Sequence, residues 1–173
     1  MSQAITATSR VNQPNAPGPL ASIPPGLAVI GSAAYTGVLI TIGLGLGRYW
    51  QTVPPQDYAA QFDEIFEFLL PAIAITLLPA MAGIALSLRR AWNTTAKTLW
   101  LAAAIALAAS LAITVLYHVP ANNRIWSDTI TADDLDTERA RWLGWHAART
   151  IAGLTAALAT FAATTRHDAT DPS

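Results

Sequence analysis

The sequence predicts an all-α integral membrane protein folded as a four-helix bundle. Hydrophobic residues make up 53% of the chain and charged residues only 12%, a balance that is unusual for a soluble domain. Crossing roughly 30 Å of hydrocarbon takes about 20 helical residues at 1.5 Å each. Four apolar stretches approach or exceed that length, and they predict spans at residues 27–47, 66–88, 99–117 and 147–165.

The chain before the first span is predicted to be an unstructured tail. Residues 1–25 carry five prolines among small polar residues, which bury too little apolar surface to offset chain entropy. The charged start and cleavage pattern of a signal peptide are missing, so we expect the first span to be retained. We therefore divide the chain into this tail, a membrane domain over 26–166 and a polar C-terminal tail over 167–173.

Glycines in the first span predict close helix packing. Gly43 and Gly47 form a small-xxx-small pair, which lets a neighbouring helix approach closely. We expect the pair to pack within one molecule rather than to form a dimer face, although a homo-oligomer remains open.

The second span is preceded by acidic residues. Glu64 and Glu67 are three residues apart and so lie on one face of the helix. Pro71 and Pro79 each remove a backbone donor and are able to kink the span.

Basic residues in the second connection predict the orientation. Arg89, Arg90 and Lys97 surround a short loop without acids, and such loops stay in the cytoplasm. Four spans then place both termini in the cytoplasm and the first and third connections outside. Because those two connections share a membrane face, we expect Glu64 and Glu67 to approach the polar residues around the third connection.

The interval from Tyr117 to Arg149 is the longest polar stretch between two apolar spans. Pro120 is predicted to end the third helix, so that Asn122 and Asn123 form a polar turn. These amides would either hydrogen-bond a substrate carbonyl or cap exposed helix ends.

A polar stripe is predicted to enter the fourth span. Acidic residues near Thr131 indicate a helix start. Beyond it, polar and small residues recur at spacings of three and four, which places them on one face: Arg139, Trp142, His146, Arg149 and Gly153. A polar face is costly to expose to lipid, so we expect it to turn towards the bundle interior or a cavity. The alternative without function is that Arg139 or Arg149 pairs with Glu64 or Glu67 to hold two helices together.

Two histidines are candidates for chemistry. His118 or His146 would serve as a general base, since imidazole titrates near neutral pH when unperturbed. Together with Glu64 and Glu67 they would also make a two-histidine, carboxylate set for iron or copper and dioxygen chemistry. His167, in the polar tail, is not assigned a role.

Several function classes lack support. The chain has no cysteine, which excludes disulfides, thiolate metal sites and cysteine nucleophiles. No basic run resembles a nucleic-acid footprint. Phosphate-binding glycine loops, serine nucleophile elbows and zinc-protease helices are also missing.

The run HVPANNRIW, the acidic stretch after it and ERARWLGWHAAR resemble the small four-helix membrane family that includes the anthrone oxygenases. The resemblance covers nearly the whole chain in span layout, with specific identity over about thirty residues. It implies oxygenation of a small organic substrate with dioxygen as co-substrate, often without a cofactor. Carried over by position, it implies catalytic roles for four residues: Asn122, Trp142, His146 and Arg149.

We therefore expect a membrane oxygenase with a pocket near one membrane face. Substrate contacts are expected from four further residues: Tyr117, Asn123, Trp126 and Arg139. In a cofactor-free mechanism His146 removes a proton while Arg149 and Asn122 stabilise the enolate. In a metal mechanism the histidines and carboxylates hold iron or copper. The rival from another class is a non-catalytic partner subunit or small-molecule transporter.

Overall fold

The computed structural model describes residues 19–127 and 129–169, which form four long helices and no strand. A short 3₁₀ turn, Pro19–Ala21, precedes them. The helices are α1 (Ile23–Trp50), α2 (Pro55–Arg90), α3 (Lys97–Trp126) and α4 (Ala132–Ala169). Each is long and apolar enough to cross a membrane, which fits an integral membrane protein. The predicted all-α four-helix bundle is confirmed.

Helices α1 and α2 pack with their backbones in contact. A Cβ atom added to Gly31 would lie 2.4 Å from the amide nitrogen of Ala80, and one added to Gly83 would lie 2.2 Å from that of Ala28. Only glycine permits this approach, because any side chain would force the helices apart.

The glycine pair of α1 packs against α4. A Cβ atom at Gly43 would lie 3.1 Å from the ring of His146, and one at Gly47 would lie 2.8 Å from Leu143. The prediction that this pair packs within one molecule is confirmed.

The predicted approach of the acidic residues of α2 to the histidines is wrong. Helix α2 begins at Pro55, and its buried aromatic residues Tyr58, Phe62 and Phe66 recur every four positions. That phase directs Glu64 and Glu67 outwards, where both are exposed. The helix continues through Pro71 and Pro79.

The prediction that Pro120 ends the third helix is also wrong. The turn before it, Thr114–His118, is a π-helix, in which the amide of Val119 donates to the carbonyl of Thr114. Proline clashes with the carbonyl four residues earlier in a regular α-helix. The wider turn relieves that clash, and the helix continues to Trp126. Asn122 and Asn123 are consequently helical residues rather than a loop.

A second π-helical segment, Ile42–Gly47, interrupts α1. Three of its six residues are glycines. Single π turns within α-helices occur frequently at functional sites. Both segments lie beside the cluster of polar side chains described below.

The first and third connections lie at the same end of the bundle, as predicted. Arg139 of α4 donates to the carbonyls of Trp50 and Val53 at 2.6 and 2.8 Å, and forms an ion pair with Asp136. The predicted partners Glu64 and Glu67 are not involved. Buried Glu138 joins α3 to α4 by accepting hydrogen bonds from Tyr117 and Arg124, and it also accepts one from Arg141 of its own helix.

Candidate functional site

The polar stripe of α4 faces the bundle interior, as its spacing predicts. Its five members are all buried: Arg139, Trp142, His146, Arg149 and Gly153. The C-terminal part of the stripe contacts α1 and α3 at their π-helical segments. The result is a polar cluster inside an apolar bundle.

His146 is held by hydrogen bonds at both ring nitrogens. Its Nε2 lies 2.8 Å from the backbone carbonyl of Leu39, which can only accept, so Nε2 carries the proton. Its Nδ1 accepts hydrogen bonds from Nε and Nη2 of Arg149 at 3.1 and 2.9 Å. This arrangement fixes a neutral imidazole of one tautomer. Its lone pair is already occupied, so His146 is poorly placed to take a proton from a substrate.

Arg149 is a buried cation without an acidic partner. Its side chain is 2% exposed, and its acceptors are the neutral His146 ring and, at 3.4 Å, the hydroxyl of Thr114. The guanidinium also lies 5.6 Å from the ring centroid of Trp142, where a cation–π interaction contributes. Across residues 19–127 and 129–169 we find three ion pairs, and none of them includes Arg149.

His118 is the second buried imidazole of the cluster. It is 1% exposed, and neither Nδ1 nor Nε2 has a hydrogen-bond partner. The backbone of Trp145 lies near the ring, although neither nitrogen forms a hydrogen bond of normal geometry with it. A buried polar group left without a partner is costly and needs an explanation. A ligand that bonds to the ring would supply one.

Trp142 positions the groups around it rather than facing open space. Its indole N–H donates to Oδ1 of Asn122 at 2.9 Å, which fixes that amide. Its ring stacks on His146 with centroids 5.2 Å apart and meets the edge of His118 at 4.8 Å. One tryptophan therefore sets the orientation of an amide and two imidazoles.

A cavity of about 160 Å³ lies beside this cluster. Its polar end is formed by four residues: Thr114, His118, Asn122 and Arg149. Its other walls are Tyr35, Leu39, Phe66, Leu70, Ile73, Leu77, Leu111, Val119 and Trp126. An apolar cavity with a few convergent polar groups is the usual form of a small-molecule site.

The structure separates the predicted site residues into three groups. Asn122, Arg149, His118 and, among the expected substrate contacts, Trp126 line the cavity. Three of the expected substrate contacts lie elsewhere: Asn123 is exposed, Tyr117 bonds to Glu138, and Arg139 holds the first connection. His146 and Trp142 lie behind the lining and support it.

The predicted metal set does not fit the donor groups that are present. Glu64 and Glu67 are exposed, and both nitrogens of His146 are already engaged. Among the residues that the structure describes, no three histidine, cysteine or carboxylate side chains are grouped as metal ligands would be. His118 would be a single ligand, and iron or copper needs more.

Sequence reasoning missed the hydroxyl groups that surround Arg149. Ser110 donates to the backbone carbonyl of Arg149 at 3.0 Å, so Tyr35, also at 3.0 Å, donates to Ser110. Tyr35 and Thr114 line the cavity as well. Each is a polar side chain in the middle of an apolar span, which is the signal that would have identified them.

The family model for anthrone oxygenase matches residues 61–159, which is more than half of the chain. The chain belongs to the anthrone oxygenase family. No curated protein and no solved structure matches it significantly. Within the region that the anthrone oxygenase model matches lie α3, the first part of α4 and the polar end of the cavity.

Proposed function

We propose that this protein is a membrane oxygenase that uses dioxygen to convert an activated CH₂ group of a small apolar substrate into a carbonyl. The observation that carries the proposal is an unpartnered, buried His118 that faces an apolar cavity beside Arg149 and Asn122. Membership of the anthrone oxygenase family supports the reaction class. No resident cofactor takes part in the proposed steps.

His118, rather than His146, acts as the general base. A base needs a free lone pair close to the substrate; His118 lines the cavity, and the nitrogen of its neutral ring that carries no proton has no hydrogen-bond donor. His146 instead holds Arg149 in place through Nδ1. The sequence left either histidine as the base and gave the role to His146 in the cofactor-free mechanism; this proposal gives it to His118.

Proton removal creates an enolate whose oxygen is stabilised by Arg149 and the Asn122 amide. Oδ1 of Asn122 is fixed by Trp142, which leaves the amide nitrogen as the group that can donate towards the cavity. Preorganised donors aimed at a developing oxyanion lower the barrier to its formation. The substrate anion and the imidazolium form together, so the net charge of the cavity does not change.

The electron-rich carbanion then reduces dioxygen. It transfers one electron to O₂, and the resulting carbon radical and superoxide combine to form a C–O bond. The imidazolium of His118 returns its proton to the peroxide anion. His118 then removes the second C–H proton, and the O–O bond breaks as the carbonyl forms. The distal oxygen leaves as hydroxide, and the proton taken up by His118 converts it to water. The CH₂ group supplies four electrons and O₂ accepts four, so no external reductant is required.

Oxygen consumption by the full chain in lipid nanodiscs tests this proposal, with anthrone as the substrate. We expect His118→Ala to lower turnover by about 10²- to 10⁴-fold, as loss of a general base does. Asn122→Ala should also lower turnover, whereas Asn123→Ala is its matched control on the exposed face of the same helix. Full turnover in folded His118→Ala protein would refute the assignment of the base. A wild-type protein that binds anthrone but never consumes oxygen would favour the non-catalytic alternative.

We also infer that both termini face the cytoplasm. Arg89, Arg90 and Lys97 flank the connection between α2 and α3, and short basic loops stay on the cytoplasmic side. The cavity then lies towards the outer face. A C-terminal reporter that is active only in the cytoplasm should give signal, and a silent reporter would reverse the orientation.

A further inference from the structure

Aromatic side chains end the cavity on the side of the first and third connections. On α2 the lining residue nearest the start of the helix is Phe66, and on α3 the one nearest the end is Trp126. Asn122 and His118 lie about one and two turns before Trp126, deeper in the bundle. Water that enters from this end therefore meets Phe66 and Trp126 before it reaches the polar groups.

These two rings belong to a continuous aromatic layer. The rings of Phe66 and Trp126 meet edge to face, with centroids 5.6 Å apart. Phe66 stacks on Phe62 at 5.3 Å, and Phe62 meets Trp142 of α4 at 5.4 Å. Trp142 in turn contacts the ring of His118. The aromatic layer thus extends from the end of α3, across α2, to the imidazoles of the site.

Most of this layer is closed to water. Phe62 is fully buried and Phe66 is 6% exposed. Two further buried rings, Trp50 and Tyr58, each pack against Phe62 at 5.5 Å and cover it. Trp126 is 40% exposed, so beside it the layer is a single ring thick. The contact between Phe66 and Trp126 is consequently the place where one substitution would admit water.

Water at the site would compete with dioxygen for the carbanion of the proposed reaction. A water molecule that reaches the carbanion gives it a proton, and the C–H bond forms again. The hydroxide left behind takes the proton of the His118 imidazolium and becomes water, so nothing has been oxidised. Exclusion of water from an active site prevents side reactions of this kind.

We propose that Phe66 and Trp126 form a closure that keeps water from the deprotonated substrate, and so determine how much of it is oxygenated rather than reprotonated. This inference rests on the proposed function and adds two residues that control the outcome of the reaction without taking part in proton transfer. Dioxygen is apolar and dissolves in hydrocarbon, so it does not have to pass this closure.

Thiol labelling tests the closure without turnover. The chain has no cysteine, so Thr114→Cys supplies one thiol on the cavity wall, beside the Arg149 cation that favours its reactive thiolate. The full chain in nanodiscs is treated with a charged methanethiosulfonate, which stays in water. In this background Phe66→Ala should raise the labelling rate by about 10-fold or more. The matched control is Phe68→Ala, 77% exposed on the same helix, which should not change the rate. Equal rates with and without Phe66 would overturn the closure.

Hydrogen exchange tests what the closure does for the reaction. Anthrone is turned over in D₂O by protein without the added cysteine. The deuterium gained by the recovered substrate is divided by the oxygen consumed, after subtraction of the exchange that occurs without protein. Phe66→Ala should raise this ratio by about 10-fold, and Phe68→Ala should keep the wild-type value. An unchanged ratio in Phe66→Ala would overturn the protective role.

The two assays separate failure of this inference from failure of the proposed function. If the wild-type protein neither consumes oxygen nor exchanges hydrogen with anthrone, the proposed function fails and the protective role with it, while the labelling rates still decide the closure. If Phe66→Ala does not fold, Trp126→Ala removes the other half of the closure. It should raise both the labelling rate and the exchange ratio, and no change in either would overturn the inference.

Discussion

Removing His146 should show how much of the free energy of unfolding depends on its hydrogen bonds with Arg149. Two guanidinium N–H groups point at the single Nδ1 acceptor, at 3.1 and 2.9 Å, and the next acceptor, Thr114, is at 3.4 Å. His146→Ala leaves the charge buried with little compensation, which costs about 3 kcal/mol or more of unfolding free energy. Arg149→Met alone removes a charge-assisted hydrogen bond and costs about 1–3 kcal/mol. In the His146→Ala background, the same change should cost almost nothing or stabilise the protein.

A double-mutant cycle measures this coupling. Unfolding of the four proteins in mixed micelles, followed by circular dichroism, should give an interaction free energy of about 2 kcal/mol between His146 and Arg149. The control cycle pairs His146→Ala with Arg141→Met and should be additive within about 0.5 kcal/mol. If Arg149→Met costs the same free energy in both backgrounds, the imidazole does not hold the guanidinium, and the assignment of its tautomer is wrong.

Three further predictions concern packing and access. Gly83→Ala should destabilise the bundle by about 1–3 kcal/mol, because its Cβ would lie 2.2 Å from a backbone nitrogen of α1. Gly144→Ala, whose Cβ would have nothing within 4 Å, should instead raise the free energy of unfolding by up to about 1 kcal/mol. Chemical unfolding of both variants checks the sign. Glu138→Gln weakens two hydrogen bonds between α3 and α4 and one within α4. It should cost about 1–3 kcal/mol in the same assay, and unchanged stability would contradict that role. Val119→Trp should fill part of the cavity and slow oxygen consumption by about 10-fold or more, while Leu116→Trp, exposed and outside the cavity lining, should not. Equal rates would mean that the substrate does not bind beside Val119.

The helical class and the inner face of α4 could be read from the sequence because each depends on a local pattern. Apolar length alone predicts a span, and spacings of three and four place the residues from Arg139 to Arg149 on one side of a helix. Lipid then requires that polar side to face inwards. The buried stripe confirms this step.

The partners of the stripe could not be predicted, because they depend on helix phase and on two irregular turns. Helix α2 begins about three turns before the apolar stretch, and the aromatic residues in these added turns take the inward positions. Glu64 and Glu67 therefore turn outwards. Nothing in local composition distinguishes a proline that ends a helix from one that follows a π turn, as Pro120 does. The different states of His118 and His146 follow from contacts between distant segments, such as the carbonyl of Leu39.

The wide turn at Thr114–His118 makes the register of α3 sensitive to length. A π turn amounts to one extra residue within an α-helix, and one residue corresponds to about 100° of rotation. Shortening this stretch by a single position would swing Asn122 and everything after it about the helix axis and away from the cavity, while the apolar character of the span would hardly change. Relatives aligned by hydrophobicity alone can therefore share the membrane layout with this chain and still present a different set of side chains to the substrate.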